Sequence, residues 1–209
     1  MQFKVFDLGL VDFKKAWDFQ REIFLEVKNN NLPSGLILCR HYPVITLGRL
    51  ASKKNILISE GDLKNKGIRL YEIERGGDVT YHGPGQLVIY PIFNLIYFKR
   101  DIHLFLRKLE EVVIQTLGSF GILSERKLNL TGVWVGNKKI ASIGVAIKNW
   151  IAYHGLAINI KNEDLTNFSL IRPCGLNIEM TSLETVLNKD IKIDYLKDRL
   201  IHKFEEAVI

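Results

Sequence analysis

The chain has 209 residues, 29 Lys and Arg against 23 Asp and Glu, and a formal net charge of +6 at pH 7. That length fits a single domain over residues 1–209 with chain enough to bury a core. No apolar run approaches the roughly 20 residues of a membrane-spanning helix, and the two cysteines, Cys39 and Cys174, form neither a disulfide framework nor a metal-ligand spacing.

The N-terminus enters a strand-like alternation directly at Met1-Gln-Phe-Lys-Val-Phe6, with no secretory signal pattern, so the expected setting is reducing and cytoplasmic. The positive charge is scattered rather than blocked and suits an acidic protein partner as well as a nucleic acid. No basic-aromatic module or recognition-helix pattern accompanies it, which ranks a nucleic-acid binder last.

Residues 2–9 read as a first strand. From Asp12, which can cap a helix, Phe13, Ala16, Trp17, Phe24 and Val27 form an apolar stripe that Asn29-Asn-Asn-Leu-Pro33 ends. Gly35–Cys39 and Pro43–Leu47 are short buried strands. The polar residues Arg40, His41 and Tyr42 between them, with Gly48 and Arg49 after them, stand where sheet proteins often place ligand contacts. Ser59–Gly67 suits a short helix closed by glycine. Ile68–Glu74 alternates like a strand, and Leu87–Phe93 is continuously apolar, as a strand buried on both faces is. Asp101 caps a longer helix with Ile102, Phe105, Leu106, Leu109, Val112, Val113 and Leu117 on one stripe. Gly132–Ile147 reads as two strands about a Gly-Asn turn, and Ile151–Ile160 as another strand. Glu163–Leu170 suits a short helix, Ile171–Gly175 a constrained turn, and Thr181-Ser-Leu-Glu184 a capping box. A last helix from Asp194 carries Leu196, Leu200, Ile201, Phe204 and Val208 on one side. Strands in two batches with helices interspersed predict an α/β (α+β) domain, a mixed and largely antiparallel sheet flanked by helices.

Between the strands Ile68–Glu74 and Leu87–Phe93 lies Arg75-Gly-Gly-Asp-Val-Thr-Tyr-His-Gly-Pro-Gly-Gln86. A plain hairpin needs one glycine and a couple of polar residues. Four glycines here let the backbone turn and approach a ligand closely. Arg75, Thr80, Tyr81 and His82 are then expected to face that ligand.

Cys174 sits in a rigid turn between Pro173 and Gly175, with Arg172 alongside, a setting in which a thiol is partly exposed, acidified and nucleophilic. Cys39, inside Leu36-Ile-Leu-Cys39, reads as a small core residue. A nucleophilic thiol needs a base or a cation beside it. His82, His154 and Lys139 all qualify, and sequence spacing does not choose among them. No G-x-x-x-x-G-K-[ST] phosphate loop, no Cys/His metal cluster and no glycosidase-like carboxylate pair occurs.

Together these stretches resemble the lipoyl(octanoyl) transferases of the biotin/lipoate protein ligase superfamily. The resemblance rests on Arg75–Gln86, on His41-Tyr-Pro-Val-Ile-Thr-Leu-Gly-Arg49 and on Thr131-Gly-Val-Trp-Val135. It continues through Lys139-Ile-Ala-Ser-Ile-Gly144, His154-Gly-Leu-Ala-Ile-Asn159 and Pro173-Cys-Gly175, and so covers most of the chain. It implies a biotin/lipoate protein ligase-like fold and a ping-pong acyl transfer. Octanoyl-acyl carrier protein would be the donor. Lipoyl domains of 2-oxoacid dehydrogenase E2 subunits and glycine cleavage H protein would be the acceptors. By position in the motifs, Cys174 would carry the octanoyl thioester and Lys139 would be its dyad partner. The acyl pocket would be lined by Arg75, Gly76, Gly77, Asp78, Val79, Thr80, Tyr81 and His82, by Ser142, Ile143 and Gly144, and by Gly155, Leu156 and Ala157. No metal and no ATP is expected, and the protein is expected to be a monomer. Ala141 replaces a cysteine seen in some relatives.

An eight-carbon chain needs an apolar slot, and Ala141, Gly144, Gly155 and Ala157 are expected to leave room for one. Backbone N–H groups near Gly175 or Gly155 are expected to bind the developing oxyanion. Two competitors remain at this level. An ATP-dependent lipoate or biotin ligase on the same fold needs no nucleophilic cysteine. A non-catalytic acyl-carrier binder would require neither Cys174 nor Lys139.

Overall fold

The structure, a computed structural model, describes residues 2–173 and 178–207. Strand β1 (Lys4–Val11) leads through helix α1 (Phe13–Lys28) to β2 (Gly35–His41), which runs parallel to it. Asp12 caps α1 by accepting from the Lys14 N–H, and the buried face of the helix is Phe13, Ala16, Trp17, Gln20, Ile23 and Val27. Strand β3 (Val44–Leu47), helix α2 (Glu60–Asn65), β4 (Arg69–Glu72) and β5 (Val79–His82) follow, before β6 (Gln86–Ile92) returns to the side of β2. Helix α3 (Ile102–Gly118), capped by Asp101 through the Leu104 N–H, precedes β7 (Glu125–Lys127), β8 (Leu130–Val135), β9 (Lys138–Lys148) and β10 (Ile151–Asn159). Helices α4 (Leu183–Leu187) and α5 (Ile193–Ala207) come last.

Among the described residues, seven strands form a sheet of order β1-β2-β6-β10-β9-β8-β7, in which β1 and β2 pair parallel and the other neighbours antiparallel. A second, three-stranded sheet has order β4-β3-β5, with β3 parallel to β4 and antiparallel to β5. The mixed, largely antiparallel α/β architecture expected from the sequence is therefore present. Strand parity explains how the large sheet is filled. Leu36, Leu38, Leu87 and Ile89 point to a core shared with Phe105, Leu109, Leu200 and Phe204 of α3 and α5. Ile37, Cys39, Val88 and Tyr90 point the other way, towards Ala16, Ile23 and Val27 of α1. With both faces covered, all seven residues of β6 are buried, which is why that segment is apolar without alternation.

Three expectations need correction. Residues 75–86 are not one loop between paired strands. Val79–His82 is itself a strand, because Val79 and Tyr81 supply the apolar half of an alternation and are buried with Ile45 and Phe168. Its neighbours β4 and β6 lie in different sheets, so the segment crosses from one sheet to the other. The cap of α4 is Ser182, whose hydroxyl accepts from the Thr185 N–H at 3.1 Å. Thr181 instead donates its N–H to the Lys139 carbonyl, and Glu184 accepts from the Asn162 N–H. The last helix begins at Ile193, and Val208 lies outside the described residues. Strand β7 had no sequence expectation.

The β10–β6 ladder ends at Leu156–Ile89, two residues short of Pro91, which has no N–H to donate. Gly155 lies at that end. A Cβ built on it would sit 2.1 Å from the Ile89 carbonyl oxygen and 2.6 Å from Pro91 Cδ. Gly155→Ala is therefore expected to destabilise the fold by about 3 kcal/mol, the upper end of ordinary overpacking costs. Urea unfolding measures this, and a variant as stable as the parent would show that the two strands can separate freely here.

Candidate active site

A cavity of about 420 Å³ lies where the two sheets meet. Val88 and Tyr90 of β6, Gly155–Ala157 of β10 and Ser142–Val145 of β9 contribute from the large sheet. The chain from Arg75 to Thr80 and His82 contributes from the other side. Phe13 and Ile73 border it, as do Lys139, Pro173, Ile178 and Met180.

The crossover segment is fixed by backbone and charge together. The Gly76 N–H donates to the Val145 carbonyl at 2.8 Å, so the segment docks on the edge of β9 beyond its pairing with β8. The buried Arg75 guanidinium donates to the Thr46 carbonyl at 2.7 Å and to the Thr46 hydroxyl at 3.0 and 3.2 Å. Asp78 accepts from the Ser52 N–H and the Asn55 amide, which ties down residues 52–55.

Histidines supply much of the cavity's polarity, and burial keeps them neutral. The His41 Nδ1–H donates to the Val11 carbonyl, so Nε2 accepts from the Tyr90 hydroxyl at 2.7 Å. The His82 Nδ1–H donates to Gln86 Oε1, whose amide in turn donates to the Tyr81 carbonyl. The His154 Nε2–H donates to Glu74 at 3.3 Å, and this bond holds the Glu74 carboxyl down at about 2. Burial lowers the ring pKa to about 4 in His41 and about 3 in His82, and lowers it in His154 as well. Neutral rings with committed protons are compatible with an apolar ligand beside them.

Lys139 is half-buried at the start of β9. Its Nζ stands 5.4 Å from the centre of the Trp134 ring. Its backbone accepts from the Thr181 N–H at 2.9 Å and donates to the Glu179 carbonyl at 2.8 Å. The chain leaving the cavity border at Ile178 is thus stitched to the Lys139 backbone.

Of the residues expected to line an acyl pocket, all border the cavity except Tyr81. Tyr81 is fully buried among Ile45 and Phe168, and its hydroxyl donates to Asp164 at 3.0 Å. Among the small residues, Ala157 does border the cavity, but Ala141 belongs to the opposite core. Gly144 and Gly155 are small for another reason. A Cβ on Gly144 would lie 3.0 Å from the Gly76 carbonyl, and Gly155 meets Ile89 as described. Both answer to neighbouring backbone rather than to a ligand. Gly155 is also a poor oxyanion donor. The Val145 carbonyl points out of the ladder towards Gly76, so alternation turns the Gly155 N–H inward, to Gly144. Arg40, His41 and Tyr42 do not border the cavity, whereas His154 does. Cys174 and Gly175 lie outside the described residues. Cys39 is buried and its thiol is pushed up by that burial, which fits a core residue. Among the described residues, no group of three or more His, Cys, Asp or Glu is placed to hold a metal ion. No described helix is long and apolar enough to cross a membrane.

The buried histidines make stability depend on pH with a definite sign. Their folded pKa values lie below the ordinary 6.5, so their contribution is complete above pH 6.5 and is lost as pH falls towards about 4 and about 3. Urea unfolding at stepped pH should show the free energy of unfolding falling through this window. His82→Gln should flatten the fall, and an unchanged slope would assign the acid sensitivity elsewhere.

The lipoyl protein ligase A/B catalytic domain model matches residues 12–205. An octanoyltransferase of Caldanaerobacter subterraneus subsp. tengcongensis is 44% identical over 206 residues, which cover 98% of this chain and 89% of that protein. A structure of a bi-partite lipoate protein ligase and its E2 lipoyl domain from Thermoplasma acidophilum superposes with a TM-score of 0.72 at 18% identity, covering 100% of this chain and 84% of the other. The biotin protein ligase of Aquifex aeolicus superposes at 0.55 with 13% identity, covering 99% of this chain and 69% of the other. These two likenesses concern the fold. With a family match over nearly its whole length and a close relative over 98% of it, the chain belongs to the lipoyl protein ligase A/B catalytic-domain family and, within it, to the octanoyltransferases.

Proposed function

We propose that this acyltransferase takes octanoyl from acyl carrier protein as a thioester on Cys174 and passes it to a lysine of a lipoyl domain, with Lys139 moving the protons. The acceptors are lipoyl domains of 2-oxoacid dehydrogenase E2 subunits and glycine cleavage H protein. The transfer is the first step of endogenous protein lipoylation, in the cytoplasm, by a monomer.

The observation that carries this reading is the arrangement about Lys139. Pro173, next to Cys174 in sequence, and Ile178 both border the cavity on which Lys139 opens, and residues 179 and 181 are hydrogen-bonded to its backbone. Val88, Ile143, Leu156 and Ala157 give that cavity an apolar wall suited to a hydrocarbon chain.

In the first half-reaction Lys139 takes the Cys174 proton, and the thiolate attacks the thioester carbonyl of the donor. The new carbon–Sγ bond forms as the carbon–sulfur bond to pantetheine breaks, and Lys139 returns the proton to the departing thiol. In the second, the acceptor amine attacks the acyl-enzyme carbonyl, and Lys139 removes the amine proton. An amide forms as the carbon–Sγ bond breaks, and Lys139 passes the proton to the departing sulfur, which regenerates the Cys174 thiol. Exchange of one thioester for another is nearly isoenergetic and the amide is the more stable product, so the sequence runs without ATP. The positive net charge favours encounter with acidic carrier proteins.

Intact-protein mass spectrometry after incubation with octanoyl-acyl carrier protein, without ATP, tests this. One octanoyl mass should appear on the parent chain and disappear on addition of an apo-lipoyl domain. Cys174→Ala should carry no adduct, and Lys139→Ala should acquire it at least about 100-fold more slowly, as removal of a proton-transfer group implies. Acceptor labelling that requires free octanoate and ATP, with no adduct on the parent, would overturn the proposal in favour of an ATP-dependent ligase.

A further inference from the structure

The geometry points to Glu110 as a positioning residue that holds Lys139 in place through the backbone of Gly132. This inference rests on the role given to Lys139 above. Glu110 lies on α3 and is 1% exposed, so its carboxylate is committed to protein partners. One oxygen receives Arg107 Nη1 at 2.6 Å and Arg126 Nε at 3.1 Å. The other accepts the Gly132 N–H at 3.1 Å.

Gly132 stands where the large sheet opens. The β8–β9 pairing stops at Val133–Ala141, one residue away, and the preceding residues of β8 border the cavity. The Gly132 N–H thus bonds to a helix carboxylate instead of extending the ladder. With φ at +136°, its backbone also lies against the side chain of Lys139. A Cβ there would be 2.4 Å from Lys139 Cε and 3.0 Å from Nζ. Lys139 therefore lies along Gly132, with its ammonium over the Trp134 ring. The Glu110 carboxylate sets the position of the first of these supports. Arg126 braces the same acid, because it also bonds Glu111 at 2.5 Å and the Arg107 carbonyl at 3.0 Å.

The experiment compares Glu110→Gln, which keeps an acceptor oxygen for Gly132, with Glu110→Met, which keeps the volume but not the bond. Steady-state kcat and KM for octanoyl-acyl carrier protein, with melting temperatures, are measured for both and for Lys139→Ala. Glu110→Met should lose about 100-fold in kcat while KM stays within about twofold, the signature of a displaced catalytic group on an intact binding surface. Glu110→Gln should recover kcat to within about threefold of the parent, because the Gly132 bond is retained. Equal losses in the two variants would overturn the inference, as would a loss confined to KM. If Glu110→Met does not fold, the Gln variant decides alone: a kcat loss beyond tenfold with a parental melting temperature is the overturning result. An active Lys139→Ala would sink the dyad reading and this inference with it. An inactive Lys139→Ala beside an unimpaired Glu110→Met would sink this inference alone.

Discussion

The cavity depends on one backbone hydrogen bond and the buried guanidinium beside it. Strand β9 continues past the point where β8 leaves it, and an uncovered sheet edge invites unwanted pairing. Gly76 closes part of that edge by donating to Val145, while Arg75 reaches back to Thr46 in the smaller sheet. The two sheets are thereby fastened at a corner, and the space between them becomes a lined chamber rather than a cleft that can flatten. Because Gly76 and Gly144 meet backbone to backbone, the spacing of the walls is set by main-chain contact.

Two kinds of polar group stand out within that chamber. His82, His154 and Tyr90 have their protons committed to fixed partners, and burial keeps the imidazoles uncharged. They pack as polar walls that do not require water. Lys139 is different: it is only half-buried and opens on the chamber at the border where Pro173 and Ile178 also stand. A site with an apolar wall, charged groups such as Arg75 and Asp78 tied to protein partners, and the half-buried Lys139 at one border suits a ligand that is hydrocarbon along its length and reactive at one end.

Much of this was legible in the chain. The stripes of α1 and α3, with Asp12 and Asp101 as caps, are local features and emerge where periodicity places them. The unbroken apolar run of β6 announced a strand covered on both faces. What escaped was non-local. Val79–His82 looked like loop because glycines flank it, and its partner β3 is more than thirty residues distant. Gly144 and Gly155 looked like space for a ligand, since sequence does not reveal which backbone passes behind a glycine. Glu110 carried a signal that went unused. It sits between Leu106 and Val113 at helical spacing, so a carboxylate there had to find buried partners.

The glycine contacts also bear on how such an enzyme can change its preference for acyl length. Positions where main chain touches main chain cannot be enlarged without parting the strands, so part of the chamber's outline is closed to gradual variation. The adjustable wall is confined to side chains such as Val88, Ile143 and Met180. Divergence towards longer or shorter substrates, in nature or by selection in the laboratory, would have to proceed by trading methyl groups at those few places. The frame around them would stay the same.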